Sequence, residues 1–137
     1  MKTFRFLLTT LLLFSLASCT SESTQSAAEK QAELCTNLAR FRTSVASLRS
    51  LSPNSTVSDL KQAQEQVKST FTEVKTSAAR VQEARVTELE QAQENLDRAI
   101  QGIPDTATLQ QATDSVAEEV ATVEAAQAQM ESGLNCQ

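Results

Sequence analysis

Three cysteines are the most reactive side chains in this sequence of 137 residues. They stand at Cys19, Cys35 and Cys136. Thiols can pair in a disulfide, carry a covalent group or bind a soft metal ion. Histidine, the commonest general base and metal ligand, is absent from the sequence. The chemistry of the chain therefore depends on which cysteines pair and which one stands alone.

The residues before Cys19 have the layout of a secretory signal peptide. Lys2 and Arg5 give a basic start, and an apolar run follows over residues 6–17. A membrane-spanning helix needs about 20 apolar residues, so this run is too short to be a permanent anchor. We expect residues 1–18 to be removed on export.

The junction reads Leu16-Ala17-Ser18-Cys19, and it resembles the lipobox of bacterial lipoproteins. In that motif a branched apolar residue stands three positions before an invariant cysteine, with small residues between them. The resemblance implies that Cys19 becomes the N-terminus and carries a diacylglyceryl thioether and an amide-linked fatty acid. It also implies a bacterial cell-envelope protein that is anchored to a membrane by its lipid. Thr20 stands at a position where, in enteric-type bacteria, an aspartate favours retention in the inner membrane. The absence of that aspartate favours the periplasmic face of an outer membrane, where one exists. The alternative is an ordinary signal peptide cleaved after Ala17.

Acylation of Cys19 would leave Cys35 and Cys136 as a pair. In an oxidising compartment such a pair is expected to form a disulfide. The alternative is two buried free thiols. Only in that case is a copper site made of Cys35, Cys136 and Met130 conceivable.

The remaining sequence predicts a short tether followed by one helical domain. Residues 19–26 are small and polar, and residues 27–137 are rich in Ala, Gln, Glu and Leu. Only four glycines and prolines interrupt this part of the chain: Pro53, Gly102, Pro104 and Gly133. They divide it into three predicted helices. The expected bounds are about 26–51, 57–101 and 106–132.

Local signals mark the ends of these helices. Thr56 and Asp59 form a capping-box pattern before the second helix. That helix, over 57–101, contains no internal Gly or Pro and is expected to be continuous. Gly102 is expected to end it in the left-handed conformation, and Gly133 is expected to close the third helix.

These elements predict an all-α fold, an elongated antiparallel three-helix bundle with a long central helix. The two short reversals place Cys35 level with Val74 and Cys136 level with Thr72 on that central helix. The two cysteines would then lie within reach of each other, and a Cys35–Cys136 disulfide would staple the bundle. A disulfide of this span would help to stabilise a thin core.

A second consequence of this arrangement is incomplete cover of the central helix. Each outer portion would be a two-helix hairpin, so part of the apolar stripe would remain open. A partner helix could bind there. The residues expected to contact a partner are Leu89, Leu96 and Ile100.

Charge and composition argue against several classes of function. Removal of residues 1–18 takes away Lys2 and Arg5, which leaves 10 basic and 17 acidic residues and a net charge of −7. Such a chain repels polyanions, and only Phe41 and Phe71 remain as aromatic platforms, so nucleic acid is not expected as a partner. The acidic residues of the third helix are better explained as a solvated face than as a calcium site.

The sequence therefore favours a non-enzymatic envelope lipoprotein that acts as a structural or protein-interaction module. Its expected partners are the membrane, through the lipid anchor, and another protein or a second copy of itself. No metal or cofactor is expected. The alternative function is a carrier of small apolar ligands or a periplasmic chaperone that uses the hairpin groove as an apolar slot.

Overall fold

The protein was analysed as a computed structural model that describes residues 25–82 and 84–136. These residues form four α-helices. Helix α1 spans Ala27–Arg49, α2 spans Val57–Ala78, α3 spans Thr87–Gln101 and α4 spans Leu109–Gly133. The described ranges contain no β-strand, and the all-α prediction is confirmed. The predicted signal peptide, the lipobox-like run and Cys19 lie outside the described residues.

Three of the four helices begin with reciprocal capping. At the start of α1 the Ser26 hydroxyl accepts a hydrogen bond from the Glu29 N–H, and the Glu29 carboxylate accepts one from the Ser26 N–H. The same reciprocal arrangement starts two more helices: Thr56 with Asp59 at α2, and Thr108 with Gln111 at α4. Each box satisfies backbone N–H groups that have no partner within the helix. The capping box predicted for α2 is therefore present.

The predicted continuous helix over 57–101 is wrong, because the chain turns back between Ala78 and Thr87. Tight turns replace helical bonds there: the Val81 N–H donates to the Ala78 carbonyl at 3.0 Å, and the Ala84 N–H donates to the Val81 carbonyl at 3.1 Å. A straight helix would leave each half covered by only one neighbour. Turning back lets α2 and α3 cover each other, and burial of their apolar faces outweighs the few helical hydrogen bonds that are lost.

The result is a four-helix bundle in place of the expected three-helix bundle, with antiparallel neighbours. In each pair of adjacent helices a higher residue number on one helix meets a lower number on the other. The cross-helix ion pairs with this pattern are Lys68–Asp97 and Lys75–Glu90 between α2 and α3, and Arg42–Glu131 and Arg49–Glu124 between α1 and α4. Helix α1 packs most extensively on α2, and α3 on α4. The bundle therefore consists of an α1–α2 hairpin and an α3–α4 hairpin.

One continuous hydrophobic core joins the two hairpins. Phe41 of α1 and Phe71 of α2 meet near its middle, with ring centroids 5.6 Å apart and planes tilted by 46°. Buried aliphatic side chains extend the core toward both ends: Leu34, Leu38, Leu48, Leu60, Leu89, Leu96, Ile100, Val116 and Val123. The expectation that two-helix portions leave the apolar stripe open is thus corrected by the fold.

Helix α3 ends without the left-handed glycine that the sequence led us to expect. Gly102 has a φ of −74° and a ψ of −9°, which is a right-handed conformation. Its N–H donates to the Arg98 carbonyl at 3.1 Å, and the Ile103 N–H donates to the Ile100 carbonyl at 3.2 Å. Ile103 is buried and Pro104 follows it, so the chain leaves the helix by turning an apolar side chain into the core.

Candidate functional site

A disulfide between Cys35 and Cys136 links the α1–α2 hairpin to the α3–α4 hairpin. The sulfur atoms are 2.02 Å apart, and the Cα atoms are 5.5 Å apart. The cysteines are separated by 101 positions in the sequence. The predicted pairing is confirmed. Because both sulfurs are bonded to each other, this structure has no thiolate pair for the copper site considered with Met130.

The route by which the cysteines meet differs from the expected one. The two turns were expected to bring both cysteines to the middle of one central helix, at Val74 and Thr72. In the structure α1 begins and α4 ends at the same end of the bundle, and the disulfide joins them there. Antiparallel packing of α1 on α4 therefore replaces the expected meeting at the central helix.

The backbone after α4 places Cys136 for this bond. Asn135 adopts the left-handed conformation with a φ of 53°. The Cys136 N–H donates to the Glu131 carbonyl at 3.0 Å, and the Asn135 N–H donates to the Ser132 carbonyl at 3.2 Å. This pair of bonds is the Schellman arrangement, which reverses the chain at a helix end. Gly133, expected to close the helix, is still its last helical residue, so the turn comes two residues later.

A polar contact supports the same junction from α1. The Gln31 side-chain amide donates to the Leu134 carbonyl, while Leu134 itself is buried in the core. Cys35 and Cys136 are both half-buried. An open groove runs beside the disulfide along α1, lined by Ala28, Ala32, Thr36, Ala39 and Asn135 among others. A small reagent can therefore approach the sulfur atoms from solvent.

Charged pairs reinforce the contact between α1 and α4. Arg42 pairs with Glu131, and Arg49 makes two hydrogen bonds to the Glu124 carboxylate at 2.8 and 2.9 Å. These pairs join a helix that carries several basic residues to a helix that carries only acidic ones. Each pair is partly exposed, so its contribution is below about 1 kcal/mol.

Buried amide side chains form the unusual part of the core. Gln64 and Gln127 are 2 % exposed, and Gln93 is 4 % exposed. Gln64 donates to the Asp97 carboxylate at 3.3 Å, and Gln127 donates to the Leu38 carbonyl at 3.1 Å. Both bonds connect one hairpin to the other. Burial of these glutamines was not predicted from the sequence, although each stands on the apolar face of its helix.

These amides leave several polar atoms without a hydrogen-bond partner among the described residues. They are Oε1 of Gln64, Oε1 and Nε2 of Gln93, and Oε1 of Gln127. A buried polar atom without a partner costs about 1–3 kcal/mol relative to a satisfied one. The contact between the hairpins is therefore less favourable than an aliphatic contact of the same size would be.

The three residues expected to contact a partner do not lie on the surface. Leu89 and Leu96 are 0 % exposed and Ile100 is 2 % exposed. All three lie on α3 and belong to the continuous core of the bundle. The structure corrects the expectation of an open stripe at these positions, because α2 and α4 already cover them.

Within the described part of the chain, four titratable groups at or near the surface have shifted pKa values, and none of the four belongs to the disulfide junction. The backbone hydrogen bonds from Ser26 and Thr56 lower the pKa of Glu29 and of Asp59. A hydrogen bond from Lys61 lowers the pKa of Asp105, and a hydrogen bond to Glu65 raises the pKa of Lys68. These shifts mark helix caps and surface ion pairs.

The depressions on the bundle are small or shallow. One of them is lined by Leu48 of α1, Leu60 of α2 and Val116 and Val120 of α4, and it has a volume of about 230 Å³. Sites for small apolar ligands commonly have volumes of about 300–1,000 Å³. Larger depressions, such as the groove beside the disulfide, are open to solvent.

Within residues 25–82 and 84–136, no cluster of three or more His, Cys, Asp or Glu side chains is arranged to hold a metal ion. In the same ranges, no helix is both apolar and long enough to cross a membrane.

Comparison with known proteins adds no relative from which residue roles could be transferred. No protein-family model, no curated protein sequence and no solved structure matches this chain.

Proposed function

We propose that the protein is a non-enzymatic lipoprotein of the bacterial cell envelope, anchored through Cys19 and acting as a structural or protein-interaction module. The observation that carries this proposal is the run Leu16-Ala17-Ser18-Cys19 behind a basic start and a short apolar stretch. The motif is specific because the spacing, the apolar stretch and the basic start all agree.

The pairing of the other two cysteines supports the same proposal. An exported protein with three cysteines would carry an odd thiol. Since Cys35 and Cys136 bond to each other, Cys19 is the one left for acylation. Disulfides persist in oxidising compartments such as the bacterial periplasm, which agrees with export.

The proposed anchor is close in sequence to the disulfide end of the bundle. Helix α1 begins at Ala27, only eight positions after Cys19, and its first turns lie at the disulfide end. The disulfide end would therefore face the membrane. The opposite end would reach roughly 35 Å further, because α1 has 23 residues and each adds about 1.5 Å.

A binding role is better supported than catalysis by the groups that the sequence offers. Histidine is absent from the chain. The four described groups with shifted pKa values belong to helix caps and surface ion pairs, whereas enzymes usually shift the pKa of groups in a cleft. The carrier alternative has less support, because the depression lined by Leu48, Leu60, Val116 and Val120 is small and the larger depressions are open to solvent.

Mass spectrometry of the protein purified from its own membranes tests the anchor. We expect an N-terminal peptide that begins at Cys19 and carries the diacylglyceryl group and an amide-linked acyl chain. A Cys19→Ser variant should lose the lipid and leave the membrane fraction. An unmodified Cys19, or membrane association that survives in the Cys19→Ser variant, would refute the proposal.

Site-specific photocrosslinking in cells tests the interaction role. The reactive side chain belongs at an exposed position such as Gln66 or Gln91, since Leu96 is buried. We expect a discrete crosslinked species from at least one exposed face. A matched probe at Leu96 should give crosslinks within the chain only. Absence of any intermolecular product from probes on all four helices would count against an interaction module.

A further inference from the structure

We propose that a crevice at the end of the bundle opposite the disulfide is the contact point of the proposed interaction role. We call it the distal crevice, and its apolar lining consists mainly of Leu48, Leu60, Val116 and Val120. It takes one bulky apolar side chain of a protein partner that carries a lysine or arginine beside that side chain. This inference rests on the proposed interaction role, since it names the chemistry of the partner. It does not depend on the lipid anchor.

The distal crevice lies where the two hairpins meet without a covalent link. Leu48 belongs to the last turn of α1, Leu60 to the first turn of α2, and the two lining valines to the first half of α4. The disulfide and the α2–α3 connection both lie at the other end, where Arg80 pairs with Glu33 at 2.6 Å. Among the described residues, side-chain packing and ion pairs hold the hairpins together at the crevice. The crevice can therefore widen to admit a side chain of the partner.

The crevice exists because α4 continues beyond the end of α1. Ion pairs close the seam between these helices: Arg42 pairs with Glu131, and two turns earlier along α4 Arg49 pairs with Glu124. A further step of two turns along α4 reaches Ala117, but α1 ends at Arg49. Ala117 is exposed. Its small side chain and the end of α1 leave the apolar interior open at this point.

The floor of the distal crevice is part of the hydrophobic core. All four apolar side chains that line it are buried. Its volume of about 230 Å³ is below the about 300–1,000 Å³ of sites for small ligands, so a single side chain suits it better than a whole ligand. A side chain that enters such a pocket removes apolar surface from water on both partners, and anchors of this kind supply most of the binding energy at many protein interfaces.

The mouth of the crevice is negatively charged. Asp114 lines it, is exposed, and accepts a hydrogen bond from the Gln110 side chain at 2.9 Å. Within the described part of the chain no cation pairs with Asp114, and the guanidinium of Arg49 binds both oxygens of the Glu124 carboxylate instead. Helix α4 contains five acidic residues and no basic residue. A cation of the partner would therefore be attracted to the mouth, and an anion would be repelled.

Methyl NMR spectroscopy with two defined peptides tests the crevice directly. The probes are acetyl-Lys-Trp-Lys-amide and acetyl-Glu-Trp-Glu-amide, and the protein is the full oxidised chain with Cys19→Ser. We expect saturable shifts of the methyl groups of Leu48, Leu60, Val116 and Val120 with the lysine peptide. At low salt the glutamate peptide should bind at least about fivefold more weakly. Absence of saturable shifts with both peptides, or equal affinity for the two, would overturn the inference.

Substitutions at the crevice separate the effect of its shape from that of its charge. Ala121 is exposed and lines the crevice, so Ala121→Phe fills it and should weaken binding of the lysine peptide at least about tenfold. Ala125 is exposed one turn further along α4, and Ala125→Phe is the matched control that should bind as the unsubstituted chain does. Asp114→Asn should keep the methyl shifts and reduce the preference for the lysine peptide to less than about twofold. Unweakened binding by Ala121→Phe, or a full preference in Asp114→Asn, would contradict the proposal.

Photocrosslinking in cells distinguishes a wrong crevice from a wrong interaction role. A probe at Ala117 should give an intermolecular product that Ala121→Phe abolishes. Peptide mapping should place the crosslink on a partner segment that has a bulky apolar residue next to lysine or arginine. Products from other exposed positions such as Gln66, with none from Ala117, would overturn the crevice and retain the interaction role. Absence of products from probes on all four helices would overturn both.

Discussion

Asn135 is the residue on which the geometry of the disulfide depends most directly. Its φ of 53° is a backbone conformation that costs most L-residues energy and that Asn tolerates better than others. The reversal at Asn135 brings the next residue, Cys136, back toward α1 and within bonding distance of Cys35. A single backbone angle thus determines whether the two hairpins can be joined.

Substitution of Asn135 tests this dependence. Asn135→Gly should leave the free energy of unfolding within about 0.5 kcal/mol, whereas Asn135→Val should lower it by about 1–2 kcal/mol. Guanidinium unfolding of the oxidised chains measures both. Equal stability of the Val and Gly variants would mean that the left-handed conformation does not matter here.

Gln93 offers the opposite test, because its replacement should stabilise the protein. Both of its polar side-chain atoms are buried without a described partner. Gln93→Leu removes that cost and adds apolar contact, so we expect the free energy of unfolding to rise by about 1–2 kcal/mol. The exposed neighbour Gln91 is the control, and Gln91→Leu should change stability by less than about 0.5 kcal/mol. A loss of stability in Gln93→Leu would show that the amide has an unseen partner such as water.

Among the elements, α2 has a start whose strength depends on pH. The Asp59 carboxylate accepts a hydrogen bond from the Thr56 N–H at 2.7 Å, which holds the pKa of Asp59 below its ordinary value of 3.8. A carboxylate with a lowered folded-state pKa contributes stability above its unfolded-state pKa. That contribution is lost as the pH falls through the folded-state value.

The corresponding measurement compares the native chain with Asp59→Asn at two pH values. At neutral pH the variant should be less stable, because the amide is a weaker acceptor for the cap. Well below pH 3.8 the difference should shrink, since Asp59 is then protonated. Urea unfolding monitored by circular dichroism gives both differences. A difference that does not change with pH would argue against the charge-assisted cap.

The start of α2 could be predicted from the sequence, whereas the α2–α3 turn could not. Thr56 and Asp59 form their capping box from residues three positions apart, so the pattern is visible locally. The turn after Ala78 contains no Gly or Pro, and every residue in it can also be helical. The chain turns there because apolar faces that are distant in the sequence cover each other. No short stretch of sequence predicts that contact.

At the scale of the whole molecule the disulfide is the largest single contribution to stability that the structure identifies. It closes a loop of 101 positions. Loop-closure entropy gives about 4–5 kcal/mol for a loop of roughly that length, before any strain. Reduction, or the double variant Cys35→Ser with Cys136→Ser, should lower the free energy of unfolding by about that amount. Guanidinium unfolding of the oxidised chain, the reduced chain and the double variant is the appropriate measurement. An unchanged midpoint would show that the bundle closes equally well without the bond.

The pairing of the cysteines was predictable although the arrangement of helices was not. Cysteine count and the lipobox motif pointed to Cys35 and Cys136 independently of topology. The number of helices and the direction of the last one relative to α1 both depended on the unseen turn after Ala78. Burial of Leu89, Leu96 and Ile100 followed from the same turn. The turn after Ala78 therefore accounts for the number of helices, the direction of the last helix and the burial of these three side chains.

The position of the disulfide also determines how the chain would carry mechanical tension. A pull applied between the N-terminal segment and Gln137 passes from Cys35 directly across the sulfur atoms to Cys136. Residues 36–135 lie on a side branch of that path and bear no load. Under tension only the segment before Cys35 can extend, so an oxidised molecule pulled at Gln25 and at Cys136 would lengthen by a few nanometres at most while the rest of its helices stay folded.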